Sequence, residues 1–313
     1  MVSGRAQSAQ LLRGGTVHID GPVVIALDGS THSAKTLAWG LAEATLRGAD
    51  VVLARVYRLP RSLVEWSWYP IVGEGLALDT EAKAYLAETL ERESELHPDL
   101  TIRTLLLNGP EVPELRRLSE QAQLLVVGAR CQDGRARIGS ITAHLAAHAR
   151  CPVAVVRARA DADPDRSPVV VGVDGSPSSL DAARTAAREA ALREAALVVV
   201  HARPTIADPY GQSLPELAPP SGSDVDPDDP THRAARSVAR LLRTENVGLD
   251  VRLTLVDDDP AHALVGAARD AQLLVVGSRG LGAFTGMLLG SVSTDVVRHA
   301  TTAVLVVHNS LTE

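Results

Sequence analysis

The chain has 313 residues, 45% of them apolar and 22% charged, a balance that supports two folded domains and excludes a largely disordered chain. Its net charge of -7, without any run of Lys or Arg, excludes the basic surface that nucleic-acid phosphates require. Two cysteines, Cys131 and Cys151, exclude a disulfide framework and a zinc ligand set and point to a reducing compartment.

In chain order, residues 1–20 lack the apolar core of a signal peptide and read as a flexible tail. No apolar run approaches bilayer length, so no membrane partner and a cytoplasmic location are expected. Val23–Ser30 (VVIALDGS) reads as a first strand and its turn. Pro60–Gly75 reads as a loop carrying Trp66, Trp68 and Tyr69, clamped onto its own domain or the partner copy. Gln123–Gly128 (QLLVVG) and Pro152–Val156 (PVAVV) read as buried strands. Residues 21–158 then form one domain, 159–168 a linker and 169–309 a second domain.

In the second domain, Val169–Val173 and Leu197–His201 read as strands flanking an Ala-rich helix over Ser178–Glu194. Pro204–Pro230, rich in Pro, Asp, Ser and Gly, reads as a mobile loop. Leu249–Val256, Leu273–Val276 and Ala303–Val307 read as strands, and Pro260–Ala271 and Ser291–Ala300 as helices.

The second domain copies the first. VVIALDGS recurs as Val169–Ser176 (VVVGVDGS), QLLVVG recurs unchanged at Gln272–Gly277, and PVAVV answers AVLVV at Ala303–Val307. Strands alternating with helices imply an α/β fold, a parallel sheet covered on both faces, in each copy. Such sheets bind ligands beyond the strands' carboxyl ends, at a topological switch point.

The strongest local signal follows the fourth strand of copy two: Gly277-Ser278-Arg279-Gly280, nine residues, then Gly290-Ser291 opening a helix. Glycines there permit close backbone approach, and the helix's first N–H groups and dipole favour an anion. Arg279 either pairs with a phosphate or faces solvent. Asp174, ending the first strand, either caps the next helix or accepts from a ligand hydroxyl or amine. Copy one departs from this pattern. Gly128-Ala129-Arg130 is followed by Cys131, and only Gln132–Ile138 precede Gly139-Ser140. A side chain at Cys131 crowds the approach and opposes a positive φ. Cys131 reads as an inert substitution rather than a redox thiol, and Cys151 as core. His148 and His299 read as helix C-terminal charge caps, and Asp257–Asp259 as a solvated, N-capping turn rather than a metal site.

This pattern resembles the universal stress protein family in its tandem form, from about Gly21 to Asn309. It rests on VVVGVDGS, on DDPAHALV and on VVGSRG followed by GSVS. The resemblance implies two Rossmann-like doubly wound domains, each a five-stranded parallel sheet of order 3-2-1-4-5. The family's ATP signature, Gly-x2-Gly-x9-Gly-Ser/Thr, falls on Gly277, Gly280, Gly290 and Ser291. ATP, with or without Mg or Mn, is the implied ligand. Val173 and Asp174 at strand one, Ala202 after His201, and Ser278, Arg279, Val292 and Ser293 around the glycines complete the implied set. In copy one the corresponding candidates are Asp28, Val56, Gly128, Gly139 and Ser140, with ATP binding weakened or lost.

The implied function is an ATP-binding stress-response or signalling protein, in which occupancy of domain 2 sets conformation or an unknown protein partner. A slow ATPase or other adenine-nucleotide enzyme, and a scaffold with empty sites, are the alternatives. The chain lacks a Walker Gly-Lys-Ser/Thr and a Ser-Gly-Gly-x-Asp-Ser turn, and His32 stands alone, so no catalytic or metal-ligating residue is assigned. The last strand of each copy is the expected seam of an intramolecular pseudo-dimer, with homodimerisation of the chain left open.

Overall fold

The computed structural model describes residues 21–30, 33–58, 72–132, 135–137, 139–157, 167–203, 230–281 and 289–308. The tail at 1–20, the tryptophan loop with Trp66, Trp68 and Tyr69, most of the linker and nearly all of Pro204–Pro230 lie outside the described residues.

In copy one, β1 (Val23–Ala26), α1 (Ser33–Arg47), β2 (Val51–Tyr57), α2 (Val72–Leu96), β3 (Ile102–Asn108), α3 (Glu111–Ser119) and β4 (Leu124–Gly128) alternate. A small hairpin, β5 (Arg130–Gln132) and β6 (Arg135–Arg137), then precedes α4 (Ser140–His148) and β7 (Val153–Val156). Copy two runs β8 (Val169–Gly172), α5 (Pro177–Leu192), β9 (Leu197–Arg203), α6 (Pro230–Glu245), β10 (Val251–Asp257), α7 (Pro260–Ala267), β11 (Leu273–Gly277), α8 (Ser291–His299) and β12 (Ala303–Val307). Local chemistry sets the helix starts. Ser176 caps α5 by accepting from the Ser179 N–H at 3.1 Å, and Pro177 occupies the first turn, where its missing N–H costs nothing.

The strand order is β10-β9-β8-β11-β12-β7-β4-β1-β2-β3. Each copy is therefore a parallel 3-2-1-4-5 sheet, the Rossmann-like, doubly wound arrangement expected from the sequence. The two sheets join where β12 pairs antiparallel with β7, Val304 opposite Val155 and Val306 opposite Val153. This makes one ten-stranded sheet and covers the edge that each last strand would otherwise expose. Because the inner strands are buried on both faces, successive side chains divide between two cores. Val23 and Ile25 belong to the core that also holds buried residues of α1, α2, α5 and α6, whereas Val24 belongs to the core that holds those of α3, α4, α7 and α8.

The seam is also tied by polar contacts. On one face, Glu43 and Arg47 of α1, Glu189 of α5 and Arg193 at the C-cap of α5 form a closed four-member ion network. Each arginine pairs with the glutamate four residues before it and with the other copy's glutamate, Arg47 reaching Glu189 at 2.6 Å. All four side chains are at most 8% exposed. At the sheet itself, Arg157 donates to the Val297 carbonyl and His308 Nε2 donates to the Ala146 carbonyl at 2.9 Å.

Three features differ from the sequence expectation. The loop expected over Pro60–Gly75 gives way to α2 at Val72, and a helix absent from that reading, α6, begins at Pro230. The segment after β4 is a β-hairpin rather than a shortened phosphate loop. Pro230 opens α6 as Pro260 opens α7, a helix-start signal hidden at the end of a Pro- and Asp-rich stretch.

Two stability effects follow. Arg193→Leu strands two buried carboxylates, so urea unfolding should show a loss of about 3–5 kcal/mol. Replacing all four network residues with well-packed apolar ones should cost far less. Burial, reinforced by repulsion from His148 and Arg279, pushes the His308 imidazole down to about 4. Its folded form holds the neutral ring while the unfolded chain titrates near 6.5. Its stabilising contribution is therefore full above about pH 6.5 and is lost as pH falls towards about 4. His308→Gln should flatten the unfolding-stability profile across that window.

Candidate functional site

The carboxyl edge of copy two is organised by Asp174, just beyond β8. One carboxylate oxygen accepts the Ser176 N–H at 2.9 Å, and the other accepts the Leu281 N–H at 2.8 Å. Asp174 is therefore not the cap of α5, which is Ser176; it ties the β8 turn to the loop after β11. Burial opposes its ionisation, yet hydrogen bonds from Ser176, Leu281 and Ser179 outweigh that and hold the carboxyl below its usual range.

Each signature glycine has its own reason. A Cβ on Gly280 would lie 2.4 Å from Asp174 Oδ2, so only glycine lets the carboxylate reach across to Leu281. A Cβ on Gly277 would lie 2.5 Å from Ser178 Oγ, so this glycine admits α5 against β11. A Cβ on Gly290 would meet its nearest neighbours at an ordinary 3.6 Å. The value of Gly290 is chemical: it is the N-cap of α8 and offers no side chain to satisfy that helix's first N–H groups. Gly280 does not have a positive φ, so the conformational objection to Cys131 does not hold; Cys131 lies in the extended strand β5. The objection that remains is steric.

The other expected residues fall around this centre. Ser278 donates its N–H to Val307 and accepts the Gly290 N–H at 2.9 Å, closing the base of the loop. Ser293 is buried, and its hydroxyl donates to the Gly277 carbonyl at 2.6 Å, which leaves only its backbone for a ligand. Ser291 is exposed at the start of α8, with half-buried Val292 beside it. The Val173 carbonyl takes His201 Nδ1 at 2.8 Å, and Ala202 follows His201 on the neighbouring strand. Arg279 is exposed, and its charge bears on His148 and His308, close to the seam with copy one.

In copy one, the residues singled out from the sequence line a single cleft of 510 Å³, within the range typical of small-molecule sites. Asp28, Val56, Gly128, Gly139 and Ser140 all face it, over an apolar floor that includes Ala26, Val127 and Leu145. Asp28 accepts the Ser30 N–H at 2.9 Å and the Ser33 hydroxyl at 2.7 Å. Glu111, Thr36 and Thr142 also line the cleft and were not legible, because no motif marks them. Thr142 donates to the Gly128 carbonyl as Ser293 does to Gly277, so the two crevices share their supporting framework.

Residues set aside as structural hold structural places. Asp259 caps α7 through the His262 N–H, and Asp257 pairs with Arg203. The Cys151 thiol is buried and pushed up to about 12, an inert core group. His299 Nδ1 donates to the Asp295 carbonyl near the end of α8. His148 stands in the last turn of α4, where burial, then repulsion from Arg116, His144 and Arg279, lowers its pKa. Among the described residues no group of three or more His, Cys, Asp or Glu converges as a metal site, and no helix is long and apolar enough to cross a membrane.

The fold and these crevices define a tandem α/β protein with a switch-point crevice in each half, the two opening on opposite edges of a shared sheet. The profile of the Universal stress protein family matches residues 21–157 and again 166–308, and the chain belongs to that family. A universal stress protein of Mycobacterium tuberculosis (strain ATCC 25618 / H37Rv) is 33% identical over 297 residues, covering 92% of this chain and 97% of the relative. One from Mycolicibacterium smegmatis is 34% identical over 295 residues, covering 91% and 96%. The crystal structure of a universal stress protein from Archaeoglobus fulgidus DSM 4304 matches 93% of this chain and 99% of its own, with a TM-score of 0.68 at 18% identity, a likeness of fold.

Asp174 gives a pH test. Its depressed pKa contributes stability that is present above about pH 4 and lost as pH falls through the lower folded value. The stability gap between the wild type and Asp174→Asn, read by urea unfolding, should therefore shrink on acidification below pH 4. Gly280→Ala should break the Asp174–Leu281 bond and speed hydrogen exchange at the Leu281 amide.

Proposed function

We propose that copy two binds ATP and that its occupancy sets the conformation, and through it the partner binding, of a stress-response signalling protein. The observation that carries this reading is the bond from the Leu281 N–H to Asp174 Oδ2 beneath Gly280. It places a carboxylate, a glycine and the N-terminus of α8, which no side chain caps, around the switch point of one sheet.

In this reading the ribose donates to Asp174, displacing one of the Ser176 and Ser179 hydroxyls that bear on its carboxylate. The adenine lies over β9 near Ala202. The phosphates lie against Gly280, Gly290 and the first-turn N–H groups of Ser291, Val292 and Ser293, with Arg279 at the outer edge. A Mg or Mn ion, where one is bound, would supply charge neutralisation to the phosphates. Ligand and loop share one carboxylate, so occupancy bears directly on the loop after β11 and on α8. Family membership supports the stress-response assignment.

The test is to purify the chain, denature it, and identify and count the nucleotide released. ATP should be released. Asp174→Ala should weaken ATP binding by about tenfold or more, the cost of a hydrogen bond to a charged group. Gly280→Val should abolish the copy-two site while leaving the fold intact by circular dichroism. Retention of full affinity by both variants would contradict the assignment.

A further inference from the structure

The two copies carry opposite charge on the helices that flank the edges of the sheet. α2 covers β2 and β3 at one edge, and α6 covers β9 and β10 at the other. On α2, Glu81, Glu88, Glu91 and Glu95 are all exposed. Their spacing of i, i+7, i+10 and i+14 sets them in one stripe. Arg92, on the same side, is turned onto Glu93 at 2.9 Å, and Lys83 projects from another face. On α6, Arg233, Arg236, Arg240 and Arg243 recur at i, i+3, i+7 and i+10, again one stripe. Arg233, Arg240 and Arg243 are exposed, and Arg243 also donates to the Val251 carbonyl, a neutral acceptor that leaves its charge in place. Glu245 of the same helix faces elsewhere and pairs with Arg184 at 3.0 Å. With the copies aligned on Gln123 and Gln272, Arg240 stands at the place of Glu91.

Each stripe is unfavourable on its own helix. Like charges three or four residues apart repel, as Glu88, Glu91 and Glu95 do on α2 and the four arginines do on α6. A facing surface of the other sign relieves that repulsion. One chain carries both signs and cannot join them. β3 and β10 are the outermost of the ten strands, roughly 40 Å apart at about 4.8 Å per strand spacing. That separation is about four Debye lengths at 0.1 M salt. The stripes also match in spacing: Arg233, Arg240 and Arg243 stand at i, i+7 and i+10, as do Glu81, Glu88 and Glu91. In a parallel alignment in that register, Val247 falls beside Leu96 just past the charges. These two side chains are 95% and 66% exposed, so the same contact that pairs the charges also covers apolar surface.

We propose that chains of this protein associate head to tail, the basic stripe of α6 on one chain docking on the acidic stripe of α2 on the next. The occupant of each helix is thus a second copy of the chain, chosen by complementary charge at matched spacing. The contact is heterologous, because the two surfaces differ. Every added chain leaves one α2 and one α6 open, so growth does not stop at two chains unless the geometry closes a ring. Exposed ion pairs are individually weak and screened by salt, so the assembly is reversible and favoured at low ionic strength.

The experiment is sedimentation equilibrium of the full chain over a range of concentrations at low and high salt. At low salt the average mass should rise with concentration beyond that of one chain, and high salt should return it towards one chain. Arg233→Glu with Arg240→Glu leaves both helices acidic, and Glu81→Arg with Glu88→Arg makes α2 basic like α6. Each double variant alone should lose the association at low salt. Mixing the two should restore it, and so should all four substitutions in one chain, which separates a charge effect from misfolding. A wild type that stays at the mass of one chain, association that survives either reversal, or reversed chains that fail to rescue each other would overturn the proposal. A monomeric wild type that cosediments with phosphatidylserine vesicles, and loses this with Arg233→Glu and Arg240→Glu, would overturn it in favour of an anionic membrane surface for α6.

Discussion

The antiparallel pairing of β12 with β7 is the constraint on which the rest of this structure depends. Each half is all-parallel, so an antiparallel joint points the carboxyl ends of the two halves in opposite directions. The two crevices therefore open on opposite edges of one continuous sheet. The same joint sets the carboxyl-edge loop of each copy beside the amino-edge elements of the other. Hence His308, just past β12, bonds to Ala146 near the end of α4, the charge of Arg279 bears on His148, and β6 lies against α8. The Glu43–Arg47–Glu189–Arg193 network fixes this arrangement from the other face. A buried ion network contributes less net stability than apolar packing of the same volume, but it strongly penalises any slip that would leave a charge unpaired. Its strength lies in specifying one relative placement of the two halves.

Within that frame the two crevices share a support and differ in the segment after the fourth strand of each copy. Ser293 and Thr142 anchor the helices after β11 and β4 in the same way, and Asp174 and Asp28 both turn inward to the N–H two residues on. In copy two the carboxylate also reaches the loop, because Gly280 leaves it room. In copy one Cys131 takes that position and the chain closes into a hairpin. That divergent segment lies against the other copy's α8.

Much of this was legible in the sequence. Strands buried on both faces read as uninterrupted Val and Leu runs, and the repeat made the register of one copy a check on the other. The alternation of strands and helices followed from that pattern, whereas the strand order, the seam and the candidates Asp28, Val56, Gly128, Gly139 and Ser140, which the structure groups around one cleft, came from the family resemblance. What was not legible had identifiable causes. The hairpin was missed because three-residue strands rich in arginine carry no hydrophobic alternation. The helix α6 was missed because its Pro230 start merges with a polar stretch. The ion network left a signal that went unused: Glu43 and Arg47 recur as Glu189 and Arg193 at the spacing that relates Asp28 to Asp174. The glycine rule named the right positions for an incomplete reason, since Gly277 serves helix packing and Gly280 serves a carboxylate, neither through a positive φ.

The central claim, as proposed above, is that ATP occupies the copy-two crevice. A crystal structure of the full chain grown with ATP tests it most directly. The expected result is nucleotide at the carboxyl edge of copy two, with phosphate against Gly280 and the first turn of α8. Nucleotide bound elsewhere with that crevice vacant would contradict it.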